Sequence, residues 1–203
     1  MSRCHTVRVS APTTVDRRIS RTKRQLTAAL VSLTLTRGFE TLTVRDLTEH
    51  AAIGYATFFR HYPDKEALLN ATLELAITHL VATVMPFSEQ PQLMLETLFT
   101  ELGHDPDLYR ALLMTRHVTR LSERVFEVGT AVFLSRFQLP EWHKLPAGLP
   151  ASLVARHVVG SVVNLIEWWL EATTRESPTR MATFINALVM QPINALPITL
   201  ESK

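Results

Sequence analysis

The sequence predicts an all-α fold of about nine helices, with a small N-terminal head on a larger helical body. Three observations carry that prediction. Apolar residues recur at helical spacing along most of the 203-residue chain, as amphipathic helices require. The stripes are punctuated by Ser, Thr or Asp before them and by Gly or Pro after them, the start and stop signals of helices. No segment alternates apolar and polar residues as a half-buried strand would, and no repeat or low-complexity tract interrupts the pattern.

Composition narrows the functional classes. A 46% hydrophobic content and this length allow a sizeable core, in one large or two small domains. No apolar run reads as a membrane span and the N-terminus lacks the apolar centre of a signal peptide, so a cytoplasmic protein without a membrane partner is expected. Cys4, the single cysteine, can form neither an internal disulfide nor a paired-thiol zinc site. The net charge of +2 hides an asymmetry, because residues 1–62 hold 10 Lys and Arg against 4 Asp and Glu, while the remainder holds 11 against 15. A basic N-terminal third suits a phosphate-binding surface, and an acidic remainder should stay off DNA.

Residues 1–19 are rich in Ser, Thr and Arg and lack periodicity, which predicts a disordered arm carrying Arg3, Arg8, Arg17 and Arg18. Such an arm either follows a minor groove or adds only nonspecific affinity. Residues 20–63 form the predicted head. Its first helix, Ser20 to Arg37, has Leu26, Leu30 and Leu33 as its stripe and Gly38 as its stop. Thr43 with Asp46 three residues on reads as a capping box, and Val44, Leu47 and Ala51 make the apolar side of a short second helix. Ile53 and Gly54 break that stripe. A third short helix then runs from Tyr55 to about His61, with Phe58 and Tyr62 inward and Tyr55, Ala56, Thr57, Phe59, Arg60 and His61 mostly outward. Two short helices joined by a tight turn, inside the basic third, read as a helix-turn-helix built to enter a DNA groove.

Residues 64–203 form the predicted body. Asp64 caps a long rod helix, with Lys65 in its first turn, that continues through Leu68, Leu69, Leu73, Ala76, Leu80 and Val84 to Pro86. The next helix spans Gln92 to Leu102, with Gly103 as its stop. Asp105-Pro106 starts another, carrying Leu108, Leu112 and Leu113. Ser122 to Phe137 is apolar on more than one face, and Gln138 to Pro150, with Trp142, is a loop. In Ala151 to Ala172, Val154, Val158, Leu165 and Trp169 form one line and Gly160-Ser161 a small-residue notch. Ser177-Pro178 starts a last helix through Met181, Phe184, Ile185 and Leu188.

The head resembles that of the tetracycline-repressor-like (TetR) regulators, in the order helix, Gly38-Phe39, Thr43-Val44-Arg45-Asp46, turn, Thr57-Phe58-Phe59, Tyr62-Pro63 and Lys65-Glu66-Ala67-Leu68-Leu69. The resemblance covers residues 20–69. The chain departs from it at the turn, with Ala52 where Gly is usual, Gly54 where Ser or Thr caps, and Ala56 where Gly is frequent. Phe59 stands where a Tyr usually gives a phosphate its hydroxyl, a hydrogen bond of about 1 kcal/mol.

The resemblance implies a dimeric, ligand-responsive repressor that binds a pseudo-palindromic operator in double-stranded DNA. Tyr55, Ala56 and Thr57 are expected at base edges, with Arg45 forking onto guanine. Thr43, Phe59, His61 and Lys65 are expected along phosphates. A ligand-sensing body implies a mostly apolar pocket for a small apolar effector, with Leu98, Phe99, Leu102, Leu113, Met114, Phe126 and Phe133 as candidate lining and Arg116 or His117 as polar groups. Plain core packing explains the same stripes. The family's four-helix dimer interface would place Val154, Val158, Leu165, Trp169, Phe184 and Leu188 between two copies. Trp168 and Trp169 point about 100° apart on their helix, so burying both is easiest if a partner covers one.

No catalytic constellation, phosphate-cradling glycine loop or paired metal-ligand motif is present in the sequence. His104 with Asp105 and Asp107 is the nearest approach to a metal cluster, at a helix start where Asp is expected as a cap, so neither a metal nor a cofactor is expected. Two rival readings remain at this level: a helical interaction protein regulated by a protein partner, and an enzyme with a fused DNA-binding head. The first predicts operator binding that no small molecule changes, the second an activity on broad screening.

Overall fold

A computed structural model describes residues 14–115, 121–136 and 149–194, and helices are the only regular structure among them. The head consists of α1 (Thr14–Arg37), a 3-10 turn (Phe39–Thr41), α2 (Val44–His50) and α3 (Tyr55–Phe59). The rod α4 (Lys65–Val84) leads through a second 3-10 turn to α5 (Pro91–His104), α6 (Pro106–Met114), α7 (Leu121–Arg136), α8 (Ala151–Glu171) and α9 (Pro178–Ile185). The last helix continues through a π-helical turn, Asn186–Met190, into one more α-turn, Gln191–Asn194.

Most boundaries follow their sequence signals. Asp64 and Asp105 each accept a backbone N–H in the first turn of the helix they precede, and Ser177 does the same for α9. Gly38 closes α1 with φ of 78° while its N–H bonds the Thr34 carbonyl at 2.9 Å, a C-terminal cap that an L-residue adopts only under strain.

Three expectations are corrected. α1 begins at Thr14, so residues 14–19, read as arm, are helical; extending a nucleated helix needs no apolar stripe, since each added residue gains its own hydrogen bond. Gly103 does not stop α5, which continues to His104. A Cβ built there would meet the Trp169 ring at 3.5 Å, ordinary van der Waals contact. The third concerns membrane spans, because α4 with its following turn, Lys65–Phe87, is by length and composition apolar enough to cross one. In this fold the same helix packs against α1 of the head and against α5 and α7 of the body.

The body is built from pairs of helices, α5 along α9 and α7 along α8, with α4 against α5 and touching α7. α6 lies along α1 and reaches α8. The head therefore meets the body twice, through the continuous α4 and through the α1–α6 contact. Two polar ties brace the rod on the outside. The Arg124 guanidinium on α7 donates to Glu74 at 2.9 Å, and His79 lies 2.7 Å from Glu101 on α5.

Candidate nucleic-acid interface and body cavity

The start of α2 is fixed by reciprocal hydrogen bonds. The Asp46 N–H donates to the Thr43 hydroxyl at 3.2 Å and the Thr43 N–H donates to the Asp46 carboxylate at 2.8 Å, the capping box expected from the spacing. Arg37, the last residue of α1, donates to the other carboxylate oxygen at 2.8 Å. The Thr43 hydroxyl first, then Arg37, hold the Asp46 carboxyl well below the usual carboxylate range. One carboxylate thus ties the end of α1 to the start of α2.

The turn into α3 passes through Ala52 at φ 53°, the left-handed region where the Cβ of an L-residue costs about 1–2 kcal/mol. Gly54 caps α3 without a side chain, its carbonyl accepting the Thr57 N–H at 2.8 Å. Phe58 is wholly buried and Tyr62 nearly so, whereas Tyr55 and Phe59 are 57% and 46% exposed. Their rings meet edge to face at 5.1 Å. Ala56 and Arg60 are exposed, and Thr57 and His61 are half-buried.

Arg45 projects from α2 with its side chain 82% exposed and only Glu49, 3.6 Å away, as an ion-pair partner. Such a surface pair is weak and can yield to a guanine edge. Thr43, Arg45, Thr48, Glu49, Ile53 and Tyr55 line one shallow depression between α2 and α3. Of the outward set expected from the sequence, Thr43, Arg45 and Tyr55 share this depression, and one expected phosphate contact is corrected. The Lys65 ammonium donates to the carbonyls of Phe39, Glu40 and Leu42 at 3.1, 3.2 and 2.8 Å and sits over the Phe39 ring. All three of its N–H donors are occupied, so it holds the turn after α1 rather than reaching for a phosphate. Its partners lie 23–26 residues away, which hides this role from local sequence reading.

In the body, α4, α5, α7, α8 and α9 line a half-open apolar cavity of about 250 Å³. Ile77, Leu80, Leu98, Val128, Phe133 and Val162 are among its walls. Of the residues expected there, Leu98 and Phe133 line it. Phe99 and Leu102 are buried core instead, Phe99 meeting Trp169 edge to face at 5.2 Å. Leu113 is half-buried against that core, Met114 is exposed, and Phe126 lies under Arg156 against Gly160. Arg116, His117 and Trp142 fall outside the described residues. The sequence signal that marks the missed walls is the run of valines, Val125, Val128 and Val132 on α7 and Val158, Val159, Val162 and Val163 on α8. Asp105 is engaged as a cap, and no group of three His, Cys, Asp or Glu is placed to hold a metal ion among the described residues.

The description of bacterial regulatory proteins of the tetR family matches residues 26–72, and that of a transcriptional regulator C-terminal region matches residues 89–191. The chain belongs to the TetR family. Solved TetR-family structures share the fold. A TetR transcriptional regulator from Streptococcus agalactiae is 20% identical with a TM-score of 0.64, the match covering 86% of this chain and 97% of that one. A putative TetR-family regulator from Syntrophomonas wolfei is 12% identical with a TM-score of 0.67, covering 89% and 99%. The fatty acid degradation regulator FadR from Bacillus halodurans is 12% identical with a TM-score of 0.64, covering 90% and 97%. Among curated protein sequences none matches the chain.

For a TetR-family chain the faces of α8 and α9 carry particular weight, and here the expected set needs correction. Val154, Val158 and Trp169 are buried within the subunit, and the Trp169 indole N–H donates to the Glu176 carbonyl at 2.7 Å. Leu165 and Phe184 are half-buried against the same core. The Gly160 notch admits the Phe126 ring of α7, not a second copy. The outward stripe of α8 instead runs through Leu153, His157, Asn164 and Trp168. Leu188 on the following π-turn is 65% exposed and Trp168 53%. A helix apolar on several sides does not reveal from its sequence which stripe faces in.

Proposed function

We propose that two copies of this chain bind a pseudo-palindromic operator and repress transcription until a small apolar effector enters the body cavity. The observation that carries this reading is the continuity of α4, whose Leu68 and Leu69 belong to the head core while Ile77, Leu80, Val81 and Val84 line the cavity. An effector that fits better with the rod tilted shifts the dimer to a state whose heads no longer match the groove spacing.

Tyr55, Ala56 and Thr57 meet base edges, Arg45 forks onto guanine, and Thr43, Phe59, Arg60 and His61 lie along the backbone. Lys65 supports this surface from behind. The outward stripe with Leu153, Trp168 and Leu188 joins the two copies. The test is operator selection from a random duplex pool, followed by titration of the selected duplex. Arg45→Ala relaxes preference at one position per half-site, at a cost of about 1–3 kcal/mol. Trp168→Asp or Leu188→Asp yields a folded monomer with weakened operator binding, whereas Val158→Asp unfolds the body. Failure to select any inverted repeat, or a folded wild-type monomer that binds one as tightly as a dimer would, overturns the proposal.

A further inference from the structure

The depression between α2 and α3 holds a carboxylate beside the arginine assigned to guanine. Among the described residues that line it, only Glu49 is acidic, and a negative charge brought toward the DNA backbone is repelled by phosphate. The Glu49 carboxylate lies 3.6 Å from Nε of Arg45, whereas Asp46, the other acid of α2, is engaged by Thr43 and Arg37. We propose, resting on the operator reading above, that Glu49 is a positioning residue. By holding Nε of Arg45 it presents the terminal Nη1 and Nη2 to guanine, and it makes Arg45 a reader of bases rather than a binder of phosphate.

Helix stability does not account for the pair. The two side chains are 82% and 73% exposed, and exposed pairs contribute little. Arg precedes Glu along the helix, the weaker of the two orders. Glu49 also stands in the last turn of α2, where a negative charge opposes the helix dipole. Recognition accounts for the pair in two ways. Fixing a long side chain costs entropy, and a partner at Nε removes part of that freedom before DNA arrives. The guanidinium carries further N–H donors on its terminal nitrogens, enough for the O6 and N7 of guanine. The pair, weak enough to break, need not break. Charge is the second way. A carboxylate at this distance offsets part of the guanidinium's attraction for phosphate, which acts on every sequence alike. The hydrogen-bonding fork, which discriminates guanine, is left in place.

The test uses the full chain as wild type, Arg45→Ala, Glu49→Ala, Glu49→Gln and the double alanine variant, with circular dichroism confirming that each is folded. The guanine column of the selected operator is the one where Arg45→Ala loses its preference. Each protein is titrated by fluorescence anisotropy, at one fixed salt concentration, with that duplex, with its guanine-to-adenine variant and with a random-sequence duplex of equal length. Glu49→Ala lowers the preference for guanine about fivefold and raises affinity for the random duplex about twofold. Glu49→Gln, whose amide oxygen still accepts from Nε, regains most of the guanine preference but keeps the raised random binding. In the Arg45→Ala background, Glu49→Ala leaves the preference at this column unchanged. Undiminished guanine preference in Glu49→Ala overturns the proposal. So does a preference lost at another column, and lost again without Arg45, which would make Glu49 a base reader itself. So does an equal fall in affinity for all three duplexes with a lowered melting temperature, the mark of a merely structural role. Each of these leaves the operator reading standing. A wild type that prefers no sequence, or an Arg45→Ala variant that loses no preference, overturns that reading and this inference with it.

Discussion

The head and the body of this TetR-family protein are stabilised by different means. In the head, short polar contacts to backbone ends fix each element: Thr43 with Asp46, Arg37 with Asp46, and Lys65 on three carbonyls. Beneath them Leu26, Leu47, Phe58 and Leu68 are fully buried. The body leaves a half-open apolar cavity between its helices and is braced across α4 by surface ties. A DNA-reading surface must hold side chains at set spacings, so over-determined geometry suits it. On the effector reading proposed above, the body needs two arrangements of similar energy, and unfilled space leaves a second arrangement within reach. α4 takes part in both.

The largest expected effect comes from making the same substitution at the two ends of α4. Leu68→Ala removes a fully buried side chain from a close-packed core and should cost about 2–5 kcal/mol in urea unfolding. Leu80→Ala faces the cavity, where fewer contacts are lost, and should cost about 1–2 kcal/mol. Equal costs at the two positions would break the comparison, because they would mean the void is filled in solution.

Lys65→Met tests whether the head is held by charge-assisted bonds to its own backbone. Stability should fall by about 1–3 kcal/mol as the three carbonyls lose their donor. Operator affinity should fall with it while the slope of log affinity against log salt stays unchanged. A phosphate contact would instead lower that slope by about one, and that result would return Lys65 to the DNA surface.

Acid should act on the same capping network. The Asp46 carboxyl titrates below its ordinary 3.8 because Thr43 and Arg37 favour the carboxylate. A folded-state value depressed in this way contributes stability that is complete above the unfolded pKa and disappears as pH falls through the folded one. Circular dichroism and amide exchange should therefore show α2 loosening only in strong acid, well below pH 4. Asp46→Asn should loosen it at every pH. The three tryptophans all lie beyond residue 140, so their fluorescence follows the body independently. Glu101, lowered chiefly by His79, gives the body a weaker acid response of the same sign. Loosening of α2 at pH 5 would contradict the role given to Asp46.

How much of this was legible in the sequence depended on how local each determinant is. The capping box at Thr43, the Asp64 and Asp105 caps and the inward Phe58 involve residues within a turn of one another, and spacing alone announced them. Lys65 reads from the sequence as a phosphate contact because its backbone partners are far away in sequence. Gly103 reads as a stop from its local sequence alone, yet α5 runs one residue past it. On α8, Val158 and Trp168 are both apolar and a helical wheel ranks neither as the inner one; packing against α7 decides it. The cavity belongs to five helices at once, so Phe99 and Leu98, adjacent in sequence, ended in core and wall respectively.

The last pair of substitutions concerns two residues at positive φ in the head. Gly38 has φ 78° and ψ 138°, a region that side chains avoid whatever the space around them, and nothing stands within 4 Å of a Cβ built there. Gly38→Ala should therefore destabilise the head by about 1–3 kcal/mol through backbone strain alone. Ala52, at φ 53°, already carries such strain, although the αL region tolerates an L-residue better. Replacing it with glycine removes the Cβ conflict but gives the unfolded chain more freedom, leaving a net gain of about 0.5–1 kcal/mol. The opposite signs are the point of the pair, since a Cβ at Gly38 would meet nothing within 4 Å and Ala52 is exposed. Urea unfolding followed by amide exchange in α2 and α3 measures both. A loss of stability on Ala52→Gly would show that the turn does not hold the left-handed conformation in solution, and with it that the spacing of α2 and α3 is less strictly fixed than the capping network requires.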